Sequence, residues 1–253
     1  MTFFTKKYLP FLIVFLLSFF VIRPLFMEGF FPVHDSTQVE RVFEMSKALR
    51  DGMFPVRWVA DLGYGYGYPI FNFYAPLAYY AGAFINLLGF DPLLSTKIMI
   101  GFPLIFSGVA MYLLARDFWG KIGGIISGVF YLYAPYHALD TYVRGDVGEL
   151  WAYAFIPLCF YGAWKIYKKL SFSNIALFSL SFAAIILSHN LTAFMITPFL
   201  LCFIIFLCLL SERERKKTVA ISLLFTFILG IGIAAFYWIP ALFEMKFTNI
   251  SYI

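Results

Sequence analysis

Charge is scarce in this chain. Asp, Glu, Lys and Arg make up only 13 % of its 253 residues, about half the share usual in soluble domains, and that deficit excludes a water-soluble protein. Cysteine is nearly absent too. Cys159, Cys202 and Cys208 all fall inside apolar runs, where they read as small hydrophobic fillers rather than as a disulfide framework or a metal site. The first apolar run has the basic flank Lys6-Lys7, as a signal peptide would. No small-x-small cleavage site follows it, so an uncleaved anchor is expected.

What is present is apolar surface: 62 % hydrophobic and 22 % aromatic residues, with a mean hydropathy of +0.84. Runs suited to crossing a bilayer, which needs about 20 residues, occur at 8–27, 95–115, 122–139, 149–167, 173–188, 191–210 and 218–239. The expected fold is an all-α integral membrane protein with about seven transmembrane helices in one polytopic domain. An outer loop, 28–92, carries amphipathic juxtamembrane helices. The net charge of +5 does not point to nucleic acid, because the basic residues cluster at helix ends, where they report orientation.

Orientation follows from the segment 74–88, which is short for a span and rich in tyrosine. If it stays on the outer side as a surface or re-entrant helix, the cytoplasm holds 11 of the 19 Lys and Arg residues; if it crosses, every later loop changes side and only five remain inside. The positive-inside bias selects the first arrangement, with the N-terminus inside. Asp35, the turn Arg144 to Glu149, and Ser188-His189-Asn190 then share the outer face. The sequence stops soon after the last run, so a further C-terminal extracytoplasmic region is expected beyond it.

The outer loop opens with His34-Asp35-Ser36, where Asp35-Ser36 suits a helix N-cap. Val39, Val42, Phe43, Ser46 and Leu49 then fall on one helical face and Glu40, Glu44, Lys47 and Asp51 on the other, which predicts an amphipathic helix on the membrane. Gly63 to Pro69 alternates glycine with Tyr64, Tyr66 and Tyr68, a loop suited to a sugar or lipid headgroup; an aromatic collar at the interface without any ligand fits as well. Each polar residue also has a bland reading. Asp35 could be a cap only, Arg144 and Glu149 could simply pair, and His189 could be a satisfied core histidine. Their convergence on one face is what points to chemistry.

Several motifs, in order, carry a resemblance over essentially the whole chain. His34-Asp35 after the first span, the juxtamembrane helix 39–49 and the aromatic-proline entry Asn72 to Leu77 resemble the GT-C membrane glycosyltransferase superfamily. Phe54 to Trp58, the Gly-Tyr loop through Tyr74, Ala134-Pro135-Tyr136, Tyr142 to Gly145 with Gly148-Glu149, and Ser188-His189-Asn190 resemble the bacterial and archaeal membrane proteins called "6-pyruvoyl-tetrahydropterin synthase-related". With only His34, His137 and His189, the chain lacks the zinc-binding histidine cluster of the soluble pterin enzyme. The GT-C resemblance implies sugar transfer from a polyprenyl-phosphate lipid to an acceptor at the outer face of a prokaryotic cytoplasmic membrane. It implies Asp35 as general base, with His34, Arg57, Tyr64, Tyr66, Tyr68, Arg144, Glu149, His189 and Asn190 binding substrate among the membrane lipids. Many GT-C enzymes carry two adjacent acids where this chain has His34 beside Asp35; no metal ligand set is assigned, and a divalent cation stays open. A transporter or lipid-flipping protein, or a catalytically silent scaffold on the same fold, would use the same residues without bond making.

Overall fold

The computed structural model describes residues 2–248, which are helical apart from connecting loops and one isolated antiparallel bridge, Val59 with Tyr68. The first helix, α1 (Thr2–Ile22), ends in a 3-10 turn at Arg23–Phe26, where Pro24 fits the first turn. Among the described residues, four helical stretches are long and apolar enough to cross a membrane: Leu9–Phe26, Pro92–Arg144, Asn190–Leu210 and Arg213–Ile233.

The second of these is a hairpin. Within Pro92–Leu132 (α5), Gly120 takes φ 69° and ψ −172°, which L side chains avoid, and the chain reverses there. The two arms close over small residues, since a Cβ added at Gly128 would come within 2.8 Å of the Gly108 carbonyl oxygen. The expected runs 95–115 and 122–139 are these arms. The second is shorter than its hydropathy suggests, because Pro135 cannot continue a helix and sets Ala134 extended. The chain restarts as α6 (Pro135–Leu139) and opens into a wide π turn, Asp140–Arg144.

The remaining long helices are α7 (Val147–Lys168), α8 (Phe172–Ser188), α9 (Asn190–Leu210) and α10 (Arg213–Ile233). They enclose one core, which includes Cys159, Phe178, Phe182, Ile185 and Leu223. Cys159 is the buried filler expected, whereas Cys202 is exposed.

A second core joins α1 and α5 to the outer loop through Val42, Met45, Phe71, Tyr79, Met99 and Trp151. It is built around α2 (Gln38–Arg50) and α4 (Leu77–Leu87), which lie against each other. At 11 residues, α4 rises only about 16 Å, too short to span. Its Ala78, Tyr79 and Ala83 are wholly buried, so one face is enclosed by protein rather than laid on lipid. The amphipathic reading of α2 is rotated: Glu44 is buried and Phe43 exposed, because Val42 and Met45 point to α4 and α5. A short helix, α3 (Ile70–Phe73), precedes α4, and α11 (Ala235–Glu244) follows α10.

Candidate functional site

The polar centre forms where the loop after α1 meets the π turn. The His34 backbone N–H donates to the Val143 carbonyl at 2.9 Å, and that of Asp35 to the Arg144 carbonyl at 2.8 Å. Gln38 Nε2 adds a 2.7 Å bond to the Gly145 carbonyl. Gly145 is required twice over. It sits at φ 76°, and a Cβ there would come within 2.7 Å of Val33.

This pairing corrects the expected cap. With residues 34 and 35 committed to the π turn, α2 begins only at Gln38, its N-cap residue is Thr37, and no side chain caps it. The Asp35 carboxylate is instead left partly open, with His34 Nδ1 at 3.1 Å from its Oδ1.

Arg144 organises the carboxylates. Its Nη1 lies 2.9 Å from Asp140 Oδ1, 2.5 Å from Glu149 Oε2 and 2.8 Å from the Tyr136 hydroxyl, and its Nη2 lies 3.4 Å from Asp146 Oδ2. Tyr153 donates to Glu149 Oε1 at 2.5 Å. Asp146 Oδ1 caps α7 by accepting the Glu149 N–H at 3.0 Å. Asp140 is wholly buried, and its Oδ2 has no hydrogen-bond partner among the described residues. Carboxylate oxygens of Asp140, Asp146 and Glu149 lie within 4.8 Å of one another, a grouping able to hold a metal ion. Arg144 donates to all three and already supplies the compensating charge there.

His189 reaches the same centre from the α8–α9 junction. It is the single residue between the two helices, its backbone extended at φ −154°. Its Nε2 stands 3.6 Å from Asp146 Oδ2, and its Nδ1 meets Thr192 Oγ1 at 2.7 Å. Gly148 allows this approach, for a Cβ there would lie 2.7 Å from the Ser188 carbonyl oxygen.

The structure therefore brings together Asp35, His34, Arg144, Glu149 and His189 at one end of the bundle. It places the other expected residues elsewhere. Asn190 turns to the Tyr237 hydroxyl at 2.9 Å, and Arg57 donates to the Phe236 carbonyl at 3.3 Å, both on α11. The Gly-Tyr loop sits near the far end of α2, where Lys47 pairs with Asp61. Gln38, beside Arg144, and Lys47, beside that loop, are about 14 Å apart along the helix axis. Tyr64 and Tyr66 are fully exposed there, held by turns in which the N–H groups of Tyr66 and Gly67 bond to the carbonyls of Gly63 and Leu62.

Sequence reading missed the polar wall beside Asp35. Arg41 Nη1 donates to the Tyr79 hydroxyl at 3.1 Å, which donates in turn to Gln38 Oε1 at 2.7 Å. Burial pushes the Tyr79 hydroxyl well above its ordinary pKa, so it stays a neutral donor. The Arg41 guanidinium also lies 4.7 Å from the centre of the Tyr74 ring. Asp140 did leave a signal, since it stands four residues before Arg144 on a helical stretch.

Among known proteins, the chain is similar to an uncharacterized protein of Lactococcus lactis subsp. cremoris (strain MG1363). The two are 26 % identical over 212 residues, which is 81 % of this chain and 34 % of the relative, so the chain spans about a third of that protein's length. The family described as "6-pyruvoyl-tetrahydropterin synthase related domain; membrane protein" matches residues 71–251, from the outer loop through α11, which includes Arg144, Glu149 and His189 but not His34, Asp35 or α2. On that match the chain belongs to the 6-pyruvoyl-tetrahydropterin synthase related family of membrane proteins.

Proposed function

We propose that this membrane protein transfers a sugar from a polyprenyl-phosphate lipid to an acceptor at the outer face of a prokaryotic cytoplasmic membrane. In this reading it crosses the membrane seven times, with its N-terminus inside. The orientation is supported by the two ends of α7. The Arg144 centre lies at its start. At its close Lys165 pairs with Asp117 at 3.4 Å, and Arg215 binds the Tyr167 carbonyl at 3.0 Å. A helix of 22 residues separates the two groups by about 33 Å.

The observation that carries the chemical reading is the backbone pairing of residues 34–35 with 143–144, which fixes Asp35, its carboxylate partly open, against the main chain of the turn that carries Arg144. In the proposed step Asp35 takes the proton of an acceptor hydroxyl as its oxygen bonds to the anomeric carbon. The bond from that carbon to the phosphate oxygen breaks, and the lipid phosphate leaves with the electron pair. Arg144, its side chain 41 % exposed, and Arg41 face the growing negative charge. His189 stands beside Asp146. Glu149 and Asp140 keep the Arg144 fork oriented. The exposed Tyr64 and Tyr66 rings stand too far along α2 to touch the same sugar and suit a more distant part of the acceptor.

The test is sugar transfer by purified full-length protein carrying Asp35→Asn. The substitution preserves shape and removes the proton acceptor, so turnover should fall by about 10² to 10⁴. Undiminished transfer would remove Asp35 from the chemistry.

A further inference from the structure

A groove that shares no lining residue with the Arg144 centre holds a charge with no ionic partner among the described residues. It encloses about 300 Å³ between the end of α1 and the first arm of α5 and is lined by Ile22, Phe26, Leu94, Ile98, Gly101 and Phe102, with Lys97 as its charged residue. Lys97 lies inside the run expected to cross the membrane. As the third residue of that run its ammonium stands at the edge of the hydrocarbon, where a lysine reaches toward lipid headgroups and calls for an anionic partner. Lys97 has none of opposite charge: its Nζ donates only to the neutral Met27 carbonyl at 2.5 Å, and no ion pair involves it among the described residues. Of the nearby acids, Asp91 accepts the Leu94 N–H as the cap of α5, and Glu28 is exposed.

We propose that this groove is a binding site for one anionic phospholipid of the surrounding bilayer, its acyl chain along Phe26, Ile98 and Phe102 and its phosphate on Lys97. The apolar walls call for a hydrocarbon chain and the lone ammonium for an anion, and a lipid phosphate supplies both in one molecule. Phe26, Leu94, Ile98 and Phe102 are each more than a third exposed, so the groove opens sideways, the direction from which lipid arrives. The groove shares no residue with Asp35, Arg144, Glu149 and His189, which assigns it to a resident lipid rather than to the sugar donor.

The proposal is tested by native mass spectrometry of the full chain released from nanodiscs containing equal phosphatidylglycerol and phosphatidylcholine. The wild type should retain one phosphatidylglycerol in preference to phosphatidylcholine. Lys97→Gln should reduce that preference about 5-fold, the worth of one basic residue near a lipid phosphate, and Lys97→Arg should keep it. Ile98→Trp, at a position already 38 % exposed, should fill the groove and lower retention of both lipids. Equal retention of the two lipids by the wild type, or an unchanged preference in Lys97→Gln, would overturn the site. Displacement of phosphatidylglycerol by added polyprenyl phosphate would overturn the choice of occupant.

Discussion

Replacing Arg144 by methionine isolates what the guanidinium does for the polar centre. The variant keeps the length of the side chain but leaves the carboxylates of Asp140, Asp146 and Glu149 without a cation, at side-chain exposures of 0, 10 and 13 %. Removing one partner of a buried ion pair costs about 3 to 5 kcal/mol, because the charge left behind has lost its water as well. Arg144 is itself 41 % exposed, and solvent reaching the gap screens part of the effect, so the lower end, about 3 kcal/mol, is the expectation. For a chain of this size that is a fall in melting temperature of roughly 6 to 12 °C. The assay is built into the protein. Cys159 is 1 % exposed, so in a background with Cys202 and Cys208 changed to serine, a thiol-reactive dye reports unfolding through that one residue. Adding Asp140→Asn to Arg144→Met should recover part of the loss, since it deletes the most deeply buried of the stranded charges. A melting temperature within about 2 °C of the parent for Arg144→Met, or no recovery in the double variant, would refute the idea that Arg144 compensates these carboxylates.

Other outcomes follow from the same geometry. A cysteine at exposed Glu40 should react with an impermeant thiol reagent added outside intact cells, and one at exposed Arg215 should not; the reverse pattern would invert the proposed orientation. Gly148→Val should push the start of α7 off the Ser188 carbonyl, destabilise the protein by about 1 to 3 kcal/mol in the same thiol assay, and uncouple His189 from Asp146. A melting temperature equal to the parent's would show that α7 and α8 can separate there without cost. Arg144→Lys keeps the charge but not the fork that reaches four acceptors, so it should melt between the parent and Arg144→Met.

The all-helical architecture was legible because hydropathy reports a property of whole segments: a 20-residue apolar run has little alternative to a helix in lipid. The meeting of Asp35 with Arg144 and His189 was legible at the level of the same end, since alternating spans sort loops by side. What hydropathy could not carry was lateral position. Arg57 and Tyr64 follow Asp35 in one loop, yet α2 lies between them and carries them about 14 Å along its axis. The cap expected at Asp35 failed for a related reason: its backbone satisfies a carbonyl more than a hundred residues away in sequence. Asp140 was passed over although its spacing of four residues from Arg144 was readable, because nothing in the sequence shows that the stretch between them is helical and buried.

The bonds joining residues 34 and 35 to residues 143 and 144 run from main chain to main chain. Their strength is therefore indifferent to which side chains stand at positions 34 and 35. The junction acts as a fixed socket, in which a histidine, an acid, an amide or a thiol can be exchanged one at a time while the point in space it occupies is held. A set of variants at these two positions would thus compare chemical groups at constant geometry, a control that most loop positions do not offer.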